Sequence, residues 1–416
     1  MRERKSVWSF RTKEFGEMIV VEKKFLNFIE RHLDVVSAVA ITLLSMLIRI
    51  SLRMVVSGDA LLFLLPWYDE IRDGGGMKML GQQVGNYNML YQTLIALFTY
   101  LPVTSLTAYK LLSIFFDYCL AFTAGRLVYQ YSDGNRKWKG IFAYAAVILS
   151  PIVIMNSSAW AQCDSIYVCF ALLSLIMLCK EKYVPAFLLL GVSFSFKLQA
   201  MFVLPLFLFV YFWRKRFSIL HFLIIPVVMC VLNMAGVIMG RSFLDIFSIY
   251  FKQTGEYSSM VLNYPSAWLF FTESESYMHY DHLAGAGIWF TAAVLLLIMV
   301  VLILKKIEFS PRNLIYIAFL LSYTCVLFLP AMHERYGYLY EILAIVILIW
   351  KKETAVLLVP MYCLTCKTYA FFLFDIGDAV SAGAAAVNLA VYLGYLYLLL
   401  KEMTAVRGKA VSAACE

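Results

Sequence analysis

The sequence predicts an all-α, polytopic transmembrane helical bundle, and three observations predict it. Hydrophobic residues fill 62% of the 416 positions and charged ones only 15%, with a mean hydropathy of +0.78, far more apolar than a soluble domain. Apolar runs of roughly 20 residues, the length a bilayer crossing needs, recur along the chain. Lys and Arg gather at every second turn between those runs, as at Arg136 to Lys139, Lys180 to Lys182, Arg214 to Arg216 and Lys351-Lys352, which is how cytoplasmic loops are marked.

The same clustering accounts for the formal net charge of +8. Basic residues at span ends serve topology, whereas a nucleic-acid surface needs them in one stripe, so nucleic acid is excluded as a partner and the lipid bilayer is expected as one. Of the nine cysteines, most lie inside apolar runs. Cys363 and Cys366 read C-x-x-C, but in a span with no strand beside it the pair is expected to pack rather than to bind metal or cycle redox.

Taken in order, residues 1–32 are expected to form a cytoplasmic segment, not a cleavable signal peptide. In it Phe15, Met18, Ile19, Phe25 and Leu26 alternate with charges as in a helix lying on the inner leaflet. About twelve spans follow by length and charge alternation, at residues 33–56, 105–130, 140–157, 164–180, 183–196, 199–213, 218–238, 283–304, 312–330, 337–350, 354–373 and 380–400. They make up a transmembrane domain over 33–400, and residues 401–416 a cytoplasmic tail, both termini being inside. Two outer loops, 57–104 and 239–282, exceed a simple turn, and loops of that length between packed elements are usually functional. In the first, Gly74-Gly75-Gly76 marks a bend and residues 88–100 a short interfacial helix. No strand precedes the glycines and no Gly-Lys-Ser follows, so they are no phosphate loop.

The outer loops also collect acids and unusual charges. Asp59 closes the first span, and a carboxylate held at the bilayer boundary is a stronger base than one in bulk water. Trp67-Tyr68-Asp69-Glu70 sets two acids after two aromatics, a pattern that also fits an aromatic belt. Arg49 and Arg53, four apart and in the outer half of the first span, run against the positive-inside trend. They need an anion, either Asp117 in the second span or a lipid-linked phosphate. Trp160 and Asp164 share a face if their segment is helical, which suits a sugar stacked on an indole as well as an interfacial anchor. Lys197 and Gln199 interrupt an apolar stretch, and a lysine there is expected to face an interior cavity. In His333-Glu334-Arg335 three different polar groups are consecutive, and they meet one ligand only if the backbone bends. Arg335 would then grip a phosphate and His333 add a second hydrogen bond.

These segments resemble the GT-C superfamily of polytopic glycosyltransferases, and more narrowly the bacterial proteins related to the second mannosyltransferase of glycosylphosphatidylinositol synthesis. The likeness rests on Ser57-Gly58-Asp59 with Pro66-Trp67-Tyr68 and Gly85-Asn86-Tyr87-Asn88, on Trp160-Ala161-Gln162-Cys163-Asp164-Ser165, on Phe196-Lys197-Leu198-Gln199 and on Met332-His333-Glu334-Arg335-Tyr336. It implies a bacterial cell-membrane enzyme that moves a hexose such as mannose from a polyprenyl-phosphate sugar donor to a glycan or glycolipid acceptor on the outer face. The family's catalytic acid maps onto Asp59, with Asp69 as the other candidate base. Arg335, Lys197, His333 and Arg49 or Arg53 are expected to hold the donor phosphate. Trp67, Tyr68, Glu70, Tyr87, Asn88, Trp160, Gln162, Asp164, Gln199, Glu334 and Tyr336 are expected around sugar or acceptor. Basic side chains can serve a monophosphate leaving group, so no cofactor is required, although Asp59, Asp69, Glu70 and Asp164 are oxygen ligands that suit a divalent cation. Ala161 departs from the pattern, related enzymes often having Gly there. A transporter or flippase of lipid-linked saccharide is the alternative, for which the intramembrane charges Asp117 and Lys197 speak.

Overall fold

The computed structural model describes residues 20–277 and 280–413, and side chains as far as Lys401. Phe15, Met18 and Ile19 of the expected surface helix lie outside the described residues. The described residues are mostly helical, with almost no strand. In order it forms α1 (Val20–Arg31), α2 (Leu33–Ser51), α3 (Leu65–Asp73), α4 (Met89–Phe98), α5 (Ser105–Tyr131), α6 (Arg136–Ile148), α7 (Pro151–Ile154), α8 (Asp164–Cys179) and α9 (Tyr183–Phe196). There follow α10 (Leu204–Arg214), α11 (Ile224–Leu232), α12 (Met234–Ile238), α13 (Asp245–Thr254), α14 (Tyr280–Leu304), α15 (Pro311–Phe328), α16 (Tyr338–Trp350), α17 (Ala355–Phe374) and α18 (Ala382–Ala413).

Six of these helices are long and apolar enough to cross a membrane, and a seventh span exists if α6 and the helical turns at Pro151–Ala159, bent by 47°, count as one. The bend has a plain cause: Ser150 caps Val153 and Pro151 takes the first helical position, where its missing N–H costs nothing. Large apolar side chains such as Leu47, Leu296 and Trp289 point outward, 66%, 60% and 77% exposed, as they do in a bundle solvated by lipid. At the centre stands α15, mostly buried, against α16, α10 and α18.

The first helix stops at Ser51 rather than 56 because Lys110 Nζ, reaching over from α5, takes the carbonyl oxygens of Leu52, Arg53 and Val55 at 2.9, 3.3 and 2.6 Å. The expected span at 218–238 is interrupted at Asn233, whose Oδ1 accepts from Leu90 N (2.7 Å) while Nδ2 donates to Met229 O. At the chain's end α18 runs on through the expected boundary at 400 to Ala413. In the first long loop the glycines do form a turn, with Gly75 and Gly76 at φ 95° and 63°, and α4 matches the short helix expected there. The second long loop holds α13 and two residues of strand, Val261–Leu262, paired in parallel with Met332–His333.

Candidate functional site

That pairing builds the site. It straightens the chain after Pro330 so that His333, Glu334 and Arg335 are not splayed around a helix, and Asn263 adds a further bridge to His333. The three residues line a cavity of about 390 Å³ together with Asp59, Glu256 and Tyr257, within the size range of small-molecule sites. Asp59 arrives from the opposite side, at the head of the helical turn that leads into α3.

Three donors converge on Asp59 Oδ2: Trp160 Nε1 at 2.8 Å, Arg335 Nη1 at 3.2 Å and Gln162 Nε2 at 3.3 Å. Tyr87 OH in turn donates to Gln162 Oε1 at 2.8 Å, which fixes the amide's orientation. The Arg335 guanidinium lies 5.1 Å above the Trp160 ring, a cation–π contact that adds to its ion pair. Polar atoms in this run are nonetheless left over. His333 Nε2, Glu334 Oε1 and Arg335 Nε are buried without a hydrogen-bond partner among the described residues, and each such group costs about 1–3 kcal/mol when left unmet. Three consecutive orphans beside one cavity mark a place for a polar ligand.

Burial also sets the charge states. Dehydration pushes the Glu334 carboxyl up to about 7, against the pull of Arg335. It pushes His333 well below its usual 6.5, and the cations Arg335 and Lys197 add to that, so the imidazole is neutral at pH 7.

Beside the cavity, and sharing Tyr257 with it, runs a largely apolar groove of about 250 Å³ that includes Gln199, Phe202, Leu329 and Tyr336. The two spaces together are polar at one end and apolar at the other.

The remaining candidates separate clearly. Lys197, expected to face a cavity and hold phosphate, is instead buried outside the cavity lining and pairs with Asp164 at 2.5 Å; Asn156 donates to the other Asp164 oxygen at 2.9 Å. This pair adjoins the site through Tyr87, whose ring lies 5.9 Å from Lys197 Nζ. Arg49 is spent elsewhere: it pairs with Asp117 at 2.9 Å and donates to Ser45 and to the carbonyl of Ile148, so of the two anions expected for it the protein supplies its own. Arg53 lies beyond the end of α2, exposed, donating to Ile50 O, and does not share a helical face with Arg49. Asp69 pairs with Arg72 at 3.0 Å on the surface, and Glu70 beside it is exposed; neither lines the cavity.

Among the aromatics, Trp160 corrects the expectation of a sugar-stacking face. Its ring is completely buried, stacked on Phe372 at 4.7 Å and edge-on to Tyr369. The helix breaks right after it, so Trp160 and Asp164 do not share a face. The break depends on Ala161, at φ 64°, in the left-handed region that costs an L-residue about 1–2 kcal/mol. This is the position where the resemblance favours glycine, and the observed backbone gives the reason. Tyr68 is buried and donates to Phe98 O, and Asn88 caps α4 and donates to Ile246 O, so both serve the scaffold. Trp67 meets Tyr87 edge-on at 6.1 Å and packs over Gly85, at the rim.

The sequence reading missed Tyr257, which stands edge-on against His333 at 4.6 Å, and Glu275, another cavity residue. Glu256, also on the cavity wall, accepts from Asn86 Nδ2 at 3.1 Å. Asp59, Asp69, Glu70 and Asp164 do not come together, and no cluster of three His, Cys, Asp or Glu suited to a metal ion occurs among the described residues. No protein-family model matches this chain, and no curated protein matches it either.

Proposed function

We propose that the chain is an integral-membrane, GT-C-type glycosyltransferase that moves a hexose, mannose or one like it, from a polyprenyl-phosphate carrier to a glycan or glycolipid acceptor. One observation carries the reading: of the cavity's carboxylates, Asp59 is the one oriented by an arginine and two neutral donors, all three on Oδ2. The apolar groove beside the cavity suits the carrier's tail, and Arg335 with neutral His333 suits its phosphate.

In this reading the donor phosphate competes with Asp59 for Arg335. Once the guanidinium turns to the phosphate, Asp59 keeps only the neutral donors Trp160 and Gln162 and becomes a stronger base. It takes the proton of the acceptor hydroxyl as that oxygen attacks the anomeric carbon. The bond from carbon to phosphate oxygen breaks with its electron pair on the phosphate, where Arg335 stabilises it, and the single displacement inverts the centre. The reading places some twelve spans in the membrane of a bacterial cell, both termini inside and the cavity on the outer face. The rival transporter needs intramembrane charges that can be released, and Asp117 and Lys197, its best support, are each held in a buried ion pair.

The test is transfer of labelled sugar from a polyprenyl-phosphate hexose by the purified protein. Asp59→Asn should lower turnover by about 10²–10⁴-fold, the usual share of a positioned base, with donor binding retained. Full activity of a protein carrying both Asp59→Asn and Asp69→Asn removes the proposed base. Saccharide crossing sealed vesicles without a new glycosidic bond favours transport instead.

A further inference from the structure

A second cavity, larger than the first at about 560 Å³ and overwhelmingly apolar, lies far along the chain's helices from the one described, between α2, α5 and α6. Its origin is legible in the packing. Helices α5 and α6 cross at Gly125 and Gly140, so closely that a β-carbon on either would come within 2.9–3.0 Å of the other's carbonyl oxygen. The third helix, α2, does not follow them in. Instead it is fastened at two levels: Thr42 Oγ1 bonds Tyr144 OH at 2.7 Å toward its middle, and Asp34 pairs with Lys137 at its start. Between these two clasps an apolar slot is left, walled by Val35, Ala38, Val39, Phe122 and Ile141. Only 11% of the apolar window of α2 is buried inside the protein.

The mouth of the slot carries two cations, Arg126 and Lys137, against one acid, Asp34, which Lys137 already pairs with, so its net charge is positive through Arg126. Arg126 lines it, exposed, with no acidic partner among the described residues, and its guanidinium lies 5.7 Å from the Tyr129 ring. Lys137 stands across from it, and Arg136 and Lys139 are its neighbours in the chain. Helix α5 has 27 residues, about 40 Å at 1.5 Å each, whereas the hydrocarbon core is about 30 Å thick. Centred on that core, α5 extends about 5 Å past each boundary, and Arg126, five residues or about 7.5 Å from its end, falls just inside the boundary, from which its side chain can reach the headgroups and the slot runs into the depth of the tails.

We infer that this slot holds one acyl chain of an anionic phospholipid, whose phosphate sits against Arg126 and Lys137. The occupant follows from the charge at the mouth and the apolar length behind it: a zwitterionic lipid fills the slot equally well but gains less from the cations, and free phosphate leaves the slot empty. Such a lipid would splint α2, the helix from whose far end the chain runs on to Asp59. The inference depends on the chain being in a membrane and not on the reaction proposed above.

The test uses the full chain, purified in detergent with equal amounts of phosphatidylglycerol and phosphatidylcholine of the same acyl composition, and counts retained lipids by native mass spectrometry. One phosphatidylglycerol should survive activation in preference to phosphatidylcholine. Arg126→Gln, at an exposed position that packing does not need, should weaken that preference about fivefold, the worth of one basic group near a lipid surface. Ala38→Trp should abolish retention by filling the slot, and millimolar inorganic phosphate should not displace the lipid. Equal retention of the two lipids by the wild-type protein overturns the inference, as does unchanged retention by Arg126→Gln. A folded Ala38→Trp protein that keeps the lipid places it elsewhere and overturns the inference too.

Discussion

Two sets of charges are buried in this bundle, and they are handled differently. The pairs Arg49–Asp117 and Lys197–Asp164 lie away from the cavity, each cation against its own anion: Ser157 also bonds Asp117 at 2.5 Å, Asn156 bonds Asp164, and Arg49 has four acceptors, although Arg49 Nε and Asp117 Oδ1 stay without a hydrogen bond. At the cavity Asp59 is just as well oriented, but His333, Glu334 and Arg335 each keep a polar atom without a hydrogen bond, Glu334 Oε1 having only Arg335 Nη1 at 3.8 Å. A charge deep in an apolar medium must be neutralised on the spot. One that lines a cavity can keep capacity in reserve for a ligand. The contrast teaches that burial of a charged side chain does not mark function, whereas unspent hydrogen-bonding capacity beside an open space does.

The contrast breaks most sharply at Arg49. Arg49→Met leaves Asp117 buried and unpaired and should cost about 3–5 kcal/mol, read as a large fall in thermal unfolding temperature in detergent. Adding Asp117→Leu should recover most of the loss; if the double variant stays as unstable as the single, the pair is not acting as a closed unit. Arg335→Lys keeps the charge but loses the planar fork. It should lower turnover about 10²-fold, the usual loss for one stabilising donor, with little change in unfolding temperature, the reverse of the Arg49 pattern.

A finer test uses pH. Glu334 titrates at about 7 in the folded protein against 4.5 for an ordinary glutamate, so its contribution to stability is complete below about pH 4.5 and is lost as pH rises toward 7. Wild-type protein should therefore lose unfolding temperature between pH 5 and 8 more steeply than Glu334→Gln, which has no proton to release. Parallel slopes remove the buried acid from the account. The smallest effect belongs to Ala161→Gly. Relief of about 1–2 kcal/mol of left-handed strain, less about 0.4–1 kcal/mol for the freer unfolded chain, leaves a gain of roughly 0.5 kcal/mol with activity unchanged.

Much of the scaffold was legible before any coordinates. The starts at 33, 105, 164 and 183 coincide with observed helices because apolar length and the polar breaks between runs are local properties. Where the reading slipped, a distant residue decided: Lys110 ends α2, and Asn233 breaks the span at 218–238 by bonding α4. At the site, Asp59 and the run 333–335 stood out as charges in the wrong setting, and they do line one cavity. Tyr257 and Glu275 did not stand out. They sit in a long loop that a two-residue parallel pairing ties to a segment some seventy positions away, and no spacing within the loop encodes that. Trp160 misled for a related reason: an indole beside an acid looks the same whether its face is free or covered, and Phe372, which covers it, belongs to α17.

The short parallel pairing has a mechanical consequence. Val261 and Leu262 are stitched to Met332 and His333, and Ala331 N bonds Met260 O at 3.0 Å, so the loop around 260 and the strip bearing Arg335 travel as one flap. A substitution at Val261, which is buried and does not line the cavity, would therefore reach Arg335 through the backbone alone.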